Sequence, residues 1–237
     1  MRGWKVGTIK ENLDRIREEI EKACQRVGRS SKEVKVLAAT KTRTPEEILE
    51  AYQAGVRLFG ENRVQEAREK IPLLRDRMPQ AQWHMIGHLQ TNKVKYAVEL
   101  FDWIETVDRK ELVNELVKRL KRAGREKVST LIEVKLSPEE SKHGCPPEKV
   151  EELLSYTLEF PEIEVLGFMT VPPYYEEVEL VRPFFIRLRE IRDRMEEKFK
   201  RKFPELSMGM SHDFVVAVEE GATIVRIGTA LFGPRRY

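Results

Sequence analysis

The chain has 237 residues, enough to bury one sizeable core as a single α/β domain. Its 43 basic and 40 acidic residues leave a net charge of +3 and are finely interleaved, which describes solvated helix faces and argues against a nucleic-acid stripe. Cys24 and Cys145 stand far apart outside any CxxC, no apolar run reaches bilayer length, and Met1-Arg2-Gly3-Trp4-Lys5 lacks an apolar signal region, so the expectation is a cytoplasmic protein without disulfide framework, zinc knuckle or membrane span.

A helix comes first. Thr8 and Glu11 form a capping box, Ile9, Leu13, Ile16, Ile20, Ala23 and Val27 recur at intervals of three and four, and Gly28 ends the run. Apolar or β-rich runs then follow at Val34–Ala39, Val56–Phe59, Gln82–Ile86, Trp103–Thr106, Val128–Val134, Ile163–Phe168, Leu206–Met208 and Thr223–Ile227. Amphipathic stretches at 45–54, 62–76, 89–98, 109–123, 147–159, 177–200 and 212–220 separate them. The basic stretch from Arg187 to Lys202 also carries Glu190, Asp193, Glu196 and Glu197, as an ion-paired helix does. Eight strands alternating with helices predict a parallel sheet closed into a (β/α)8 TIM barrel, one domain over 1–237, with the extra N-terminal helix closing its foot. An open doubly wound sheet would want a Gly-rich turn after the first strand, and Thr40-Lys41-Thr42-Arg43 is not one.

In such a barrel the loops after the strands share one rim, where active sites lie. Lys41 ends the first strand, just before the helix start Thr44-Pro45-Glu46-Glu47. Desolvation there would lower its pKa and free the amine for a carbonyl; the alternative is a lysine that snorkels to solvent. The loops after strands seven and eight hold Ser207, Gly209, Ser211, Gly228 and Thr229, small and hydroxyl residues suited to a phosphate, or simply to turns and caps. An amine facing a phosphate cup suggests a phosphorylated aldehyde, and pyridoxal 5′-phosphate fits. Arg226, in the last strand, would then sit by the pyridine nitrogen, where an arginine cannot accept a proton; a structural ion pair is the other reading.

Five stretches, in order, resemble one family: Ala38-Ala39-Thr40-Lys41-Thr42; Phe59-Gly60-Glu61-Asn62 with Val64-Gln65-Glu66-Ala67; Trp83 to Lys93; Ser207-Met208-Gly209-Met210-Ser211 with Asp213; and Val225-Arg226-Ile227-Gly228-Thr229 with Phe232-Gly233. From about Val34 to Tyr237 the sequence resembles the YggS/PROSC family of pyridoxal phosphate homeostasis proteins, which share the barrel of the alanine racemase N-terminal domain. The resemblance implies pyridoxal 5′-phosphate as an internal aldimine on Lys41. It implies a phosphate held by Ser207, Met208 (through its backbone), Gly228 and Thr229, Arg226 facing the ring nitrogen, and Asn62 near the ring. It also implies binding and hand-over of the cofactor to apo enzymes, with effects on amino-acid and keto-acid balance, and no catalytic residue. Arg63 departs from the family's usual Tyr and could alter the rim.

Racemisation, the runner-up activity, needs two bases on opposite faces. Alanine racemase takes its opposing tyrosine from a C-terminal β-domain across a dimer, and this sequence ends at Tyr237; Tyr174, Tyr175 and Tyr237 remain candidates, and a monomer or weak dimer is expected. His84 and His88 lack the helical spacing and glutamate of a metal motif, so no metal is expected and His84 reads as a satisfied strand-end residue. Lys142 and His143 lie in a Pro-flanked loop that could act as a lid, with Lys142 a second, transient acceptor of the cofactor.

Overall fold

A computed structural model describes residues 7–234. Helix α1 (Ile9–Val27) starts at Thr8, whose hydroxyl accepts from the Glu11 N–H while the Glu11 carboxylate accepts from the Thr8 N–H, and stops at Gly28, left-handed at φ 68°. Then come β1 (Lys35–Ala39), α2 (Pro45–Gln53), β2 (Leu58–Glu61), α3 (Val64–Leu74), β3 (Gln82–Met85), α4 (Val94–Leu100), β4 (Trp103–Val107), α5 (Lys110–Ala123), β5 (Val128–Glu133) and α6 (Val150–Thr157). The chain continues through β6 (Ile163–Met169), α7 (Arg182–Phe199), β7 (Glu205–Met210), α8 (Phe214–Glu219), β8 (Ile224–Ile227) and the short α9 (Thr229–Phe232). The strands are parallel and close in chain order, with β8 returning to β1 through Lys35↔Ile224 and Leu37↔Arg226. The expected TIM barrel is the fold.

One boundary and one placement differ from the expectation in ways that matter. Strand β2 runs on through Gly60 and Glu61, which pair with His84 and Met85 of β3, and the Glu61 carboxylate is buried with one oxygen, Oε1, accepting from Thr40 and Lys70. Helix α1 does not close the barrel foot. It lies in the outer ring against α8, α9 and α2, covering the β8–β1 seam that the four-residue α9 is too short to cover.

Alternation along the strands sorts the core into two parts. Phe59, Trp83, Ile104, Phe168, Leu206 and Val225 face outward into the apolar layer under the helices, while Leu37, Leu58, Ile86 and Ile224 form a small separate cluster inside the barrel. The interior also holds polar residues: His84, Glu105, Ser207 and Arg226 are all buried there. Gly60 has no room for a side chain, since a Cβ would stand 2.6 Å from Leu37 and 2.8 Å from Ile86.

Candidate functional site

Lys41 continues the inward register of Leu37 and Ala39, as Asn62 continues that of Leu58 and Gly60. The same two-residue period carries Ile224 and Arg226 to Gly228. Three strand ends thereby deliver Lys41, Asn62, Arg226 and Gly228 to one cavity of about 530 Å³, which Tyr174, Ser211 and Thr229 also line. Among the described residues the Lys41 amine has neither a hydrogen bond nor an ion pair. Its backbone, by contrast, is tightly held: Thr42 is left-handed at φ 65° and its N–H donates to Glu66 Oε2 at 3.0 Å.

Opposite Lys41, Gly228 and Thr229 open α9. Their N–H groups have no acceptor among the described residues. Ser211 Oγ accepts from the Ala230 N–H at 3.0 Å, so its own proton remains free to donate into the cavity. The approach to this corner is shaped by Asp213, whose Oδ1 accepts from the Met210 N–H at 2.7 Å, and by Gly209 at φ 95°. Burial raises the Asp213 pKa, against the pull of the Met210 hydrogen bond and of Arg226.

Beneath the cavity runs a buried polar chain. Arg226 Nη1 donates to Ser207 Oγ at 2.8 Å and Nη2 to the Thr170 carbonyl at 2.9 Å. Ser207 Oγ donates to Glu105 Oε2 at 2.5 Å, and the other Glu105 oxygen lies 2.7 Å from His84 Nδ1. Burial alone would raise the Glu105 pKa, yet His84, Arg226 and Ser207 together hold it below the usual carboxylate range. An ionised carboxylate only accepts, so Nδ1 of His84 carries the proton. Burial pulls the Arg226 pKa down, with Glu105 the leading opposing charge.

The structure therefore brings Lys41, Asn62, Arg226, Gly228 and Thr229 together and leaves Ser207 and Met208 out. Neither lines the cavity: Ser207 points into the barrel interior with its proton committed to Glu105, and Met208, expected to act through its backbone, turns its side chain to the apolar layer under the helices. Strand β7 runs two residues further than its expected end at Met208, so Met210-Ser211, the mirror of Ser207-Met208 about Gly209, reaches the cavity. His84 is an interior residue with one nitrogen satisfied, its ring stacked on Trp103 at 4.9 Å, and Nε2 has no partner among the described residues. Of the tyrosines, Tyr174 reaches the cavity and rests against His212 at 5.0 Å; Tyr237 lies outside the described residues. Lys142 is not among the cavity's lining residues: His143 stacks on His88 at 3.9 Å, pinning that loop against the turn after β3. Arg63 is exposed at the start of α3. Among the described residues no cluster of His, Cys, Asp or Glu could hold a metal, and no helix is long and apolar enough to cross a membrane. Glu105 escaped the sequence reading; an acid between Ile104 and Thr106 in an apolar strand is the signal that could have found it.

Residues 11–236 match the family "Alanine racemase, N-terminal domain". A pyridoxal phosphate homeostasis protein of Aquifex aeolicus is 51% identical over 229 residues, covering 96% of this chain and 98% of that protein. The structure of PipY from Synechococcus elongatus PCC7942, with PLP bound, superposes with a TM-score of 0.84 at 35% identity, over 95% of this chain and 100% of that one. An alanine racemase from Clostridium difficile 630 shares the fold at TM-score 0.72 and 14% identity, over 94% of this chain and 56% of its own. The architecture is thus that of the alanine racemase N-terminal barrel. Within that class, the chain belongs to the family of pyridoxal phosphate homeostasis proteins.

Proposed function

We propose that the cavity at the strand ends is a pyridoxal 5′-phosphate site, and that the protein holds the cofactor and supplies it to apo enzymes in the cytoplasm, as a monomer or weak dimer. The observation that carries this reading is the unpartnered amine of Lys41 sharing one cavity with the open N–H groups of Gly228 and Thr229. The residues fit the group. Lys41 presents a primary amine to an aldehyde, Ser211, Gly228 and Thr229 present donors to a phosphate, and the floor holds a guanidinium. When bound, the cofactor supplies an aldehyde carbon and an electron-withdrawing pyridine ring.

The chain's own residues set what can follow. Arg226 is donor-only, so it cannot take the proton that a carboxylate partner would share with a pyridine nitrogen, and it leaves the ring a weak electron sink. Asn62 borders the cavity beside Ile86 and offers an amide to the ring's edge. A weak sink favours storage over turnover, in keeping with relatives named as homeostasis proteins and not as enzymes.

The test is the visible spectrum of the protein after incubation with pyridoxal 5′-phosphate and desalting, beside Lys41→Ala. A retained yellow band that borohydride fixes on Lys41 and that the variant lacks supports the site; a colourless wild type, or an equal band in the variant, overturns it. One observation favours a second reading, slow amino-acid racemisation: Tyr174 lines the same cavity as Lys41. Exchange of amino-acid α-protons into deuterated water faster than with free cofactor would favour that reading. A transient role for Lys142 in release would need its loop to leave His88, and Lys142→Ala with unchanged transfer to an apo enzyme would exclude it.

A further inference from the structure

We propose that Glu105 is a positioning residue that acts through the hydroxyl of Ser207 to set the orientation of Arg226, and with it the electronic state of whatever ring the cavity holds. This rests on the cofactor reading above.

The geometry permits one direction of hydrogen bonding. Arg226 Nη1 has protons only to give, so Ser207 Oγ accepts there at 2.8 Å. That leaves the single Ser207 proton for Glu105 Oε2 at 2.5 Å. The carboxylate's other oxygen is occupied by His84 Nδ1 at 2.7 Å, and His84 is itself fixed by its stack on Trp103. All four polar residues are buried, Arg226 keeping only the exposure it has at the cavity. Thr170 adds a second fixed point at 2.9 Å on Nη2. A guanidinium held at two nitrogens cannot swing about its long side chain, so the edge it offers the cavity is constant. The hydroxyl also separates the charges. Glu105 compensates Arg226 without forming a direct fork with it, which would turn the donors away from the cavity.

Glu105→Gln keeps the shape and reverses part of the chain. With the amide oxygen accepting from Ser207, its NH2 faces Nδ1 of His84, which must then give up its proton to Nε2, an atom with no partner among the described residues. Ser207→Ala breaks the same link while leaving both charges in place. The experiment loads wild type, Glu105→Gln, Ser207→Ala and the double variant with pyridoxal 5′-phosphate, and records absorption and fluorescence of the bound cofactor, the rate of its release to a trapping apo enzyme, and the melting temperature without it. The expected result is a displaced band and about ten-fold faster release in each single variant, the loss of one charge-assisted hydrogen bond. The double variant should be no worse than the worse single one. Wild-type band and release rate in Ser207→Ala, with Lys41 still labelled by borohydride, would overturn the proposal even if Glu105→Gln fails to fold. Lowered melting temperature with an unchanged spectrum would reduce Glu105 to a structural role. A wild type that takes up no cofactor would fail the underlying reading instead.

Discussion

Lys70 Nζ donates to the carbonyl oxygen of Thr40 across 2.9 Å, so a helix lysine holds the peptide that launches Lys41. The same ammonium meets Glu61 Oε1 at 3.0 Å and Glu66 Oε2 at 2.9 Å, and Glu66 in turn accepts from the Thr42 N–H. Burial raises the Glu61 pKa even with Lys70 beside it, while Lys70 and Thr42 hold that of the half-buried Glu66 down against its own burial. One cation therefore supports two carboxylates and the turn between β1 and α2.

Lys70→Met should lower stability by about 3–5 kcal/mol, because it leaves Glu61 buried and uncompensated. Adding Glu61→Gln should restore much of that loss, since a neutral amide needs no counter-charge. Urea denaturation of the two variants measures both effects, and equal midpoints would mean that Lys70 acts elsewhere.

Thr42 stands at φ 65°, a region that a β-branched residue rarely adopts. Thr42→Gly should remove about 1 kcal/mol of strain and leave the melting temperature equal or slightly higher. The freed turn should at the same time hold Lys41 less firmly, so cofactor retained after desalting should fall while stability does not. A parallel loss of both would contradict this division.

Gly209 combines φ 95° with close packing: a Cβ would lie 2.6 Å from that of Ala217 and 3.0 Å from the Phe214 Cα. Gly209→Ala should cost about 2 kcal/mol or more and displace α8 from β7. Because Met210 and Ser211 follow directly, phosphate-dependent protection of the melting temperature should weaken as well. Thermal melts with and without inorganic phosphate would show it.

Burial pushes the Glu133 pKa up to about 7, with Asp108 adding to the effect and Arg226 opposing it; among the described residues Oε2 has no partner. A carboxyl whose folded pKa is raised binds its proton more tightly in the native state. Its stabilising effect is therefore complete below about pH 4.5, declines between there and pH 7, and is gone above that, a change on the order of 3 kcal/mol. Glu133→Gln should flatten the decline and stabilise the protein at pH 8. An identical pH profile in the variant would show that Glu133 ionises without penalty.

The barrel was legible because its determinants are local and periodic. The capping box at Thr8, the helix start at Thr44, eight apolar or β-rich runs and the glycine stop at Gly28 can each be read within a few residues. Lys41 and Gly228-Thr229 were legible for the same reason, as residues at predicted strand ends. The neighbouring Ser207-Met208 and Met210-Ser211 pairs look alike in a string, and only the register of β7 and the left-handed turn at Gly209 decide which pair reaches the rim.

Local sequence was enough for the fold class, the amine at the end of the first strand and the small residues at the last two turns. Which polar side chains meet is set by the closed barrel. Glu105 and Ser207 stand 102 positions apart, and Lys70 and Thr40 thirty apart on different elements. Periodicity says which face a residue takes, but barrel closure sets who stands opposite. For a buried charge that neighbour determines whether burial is tolerated at all.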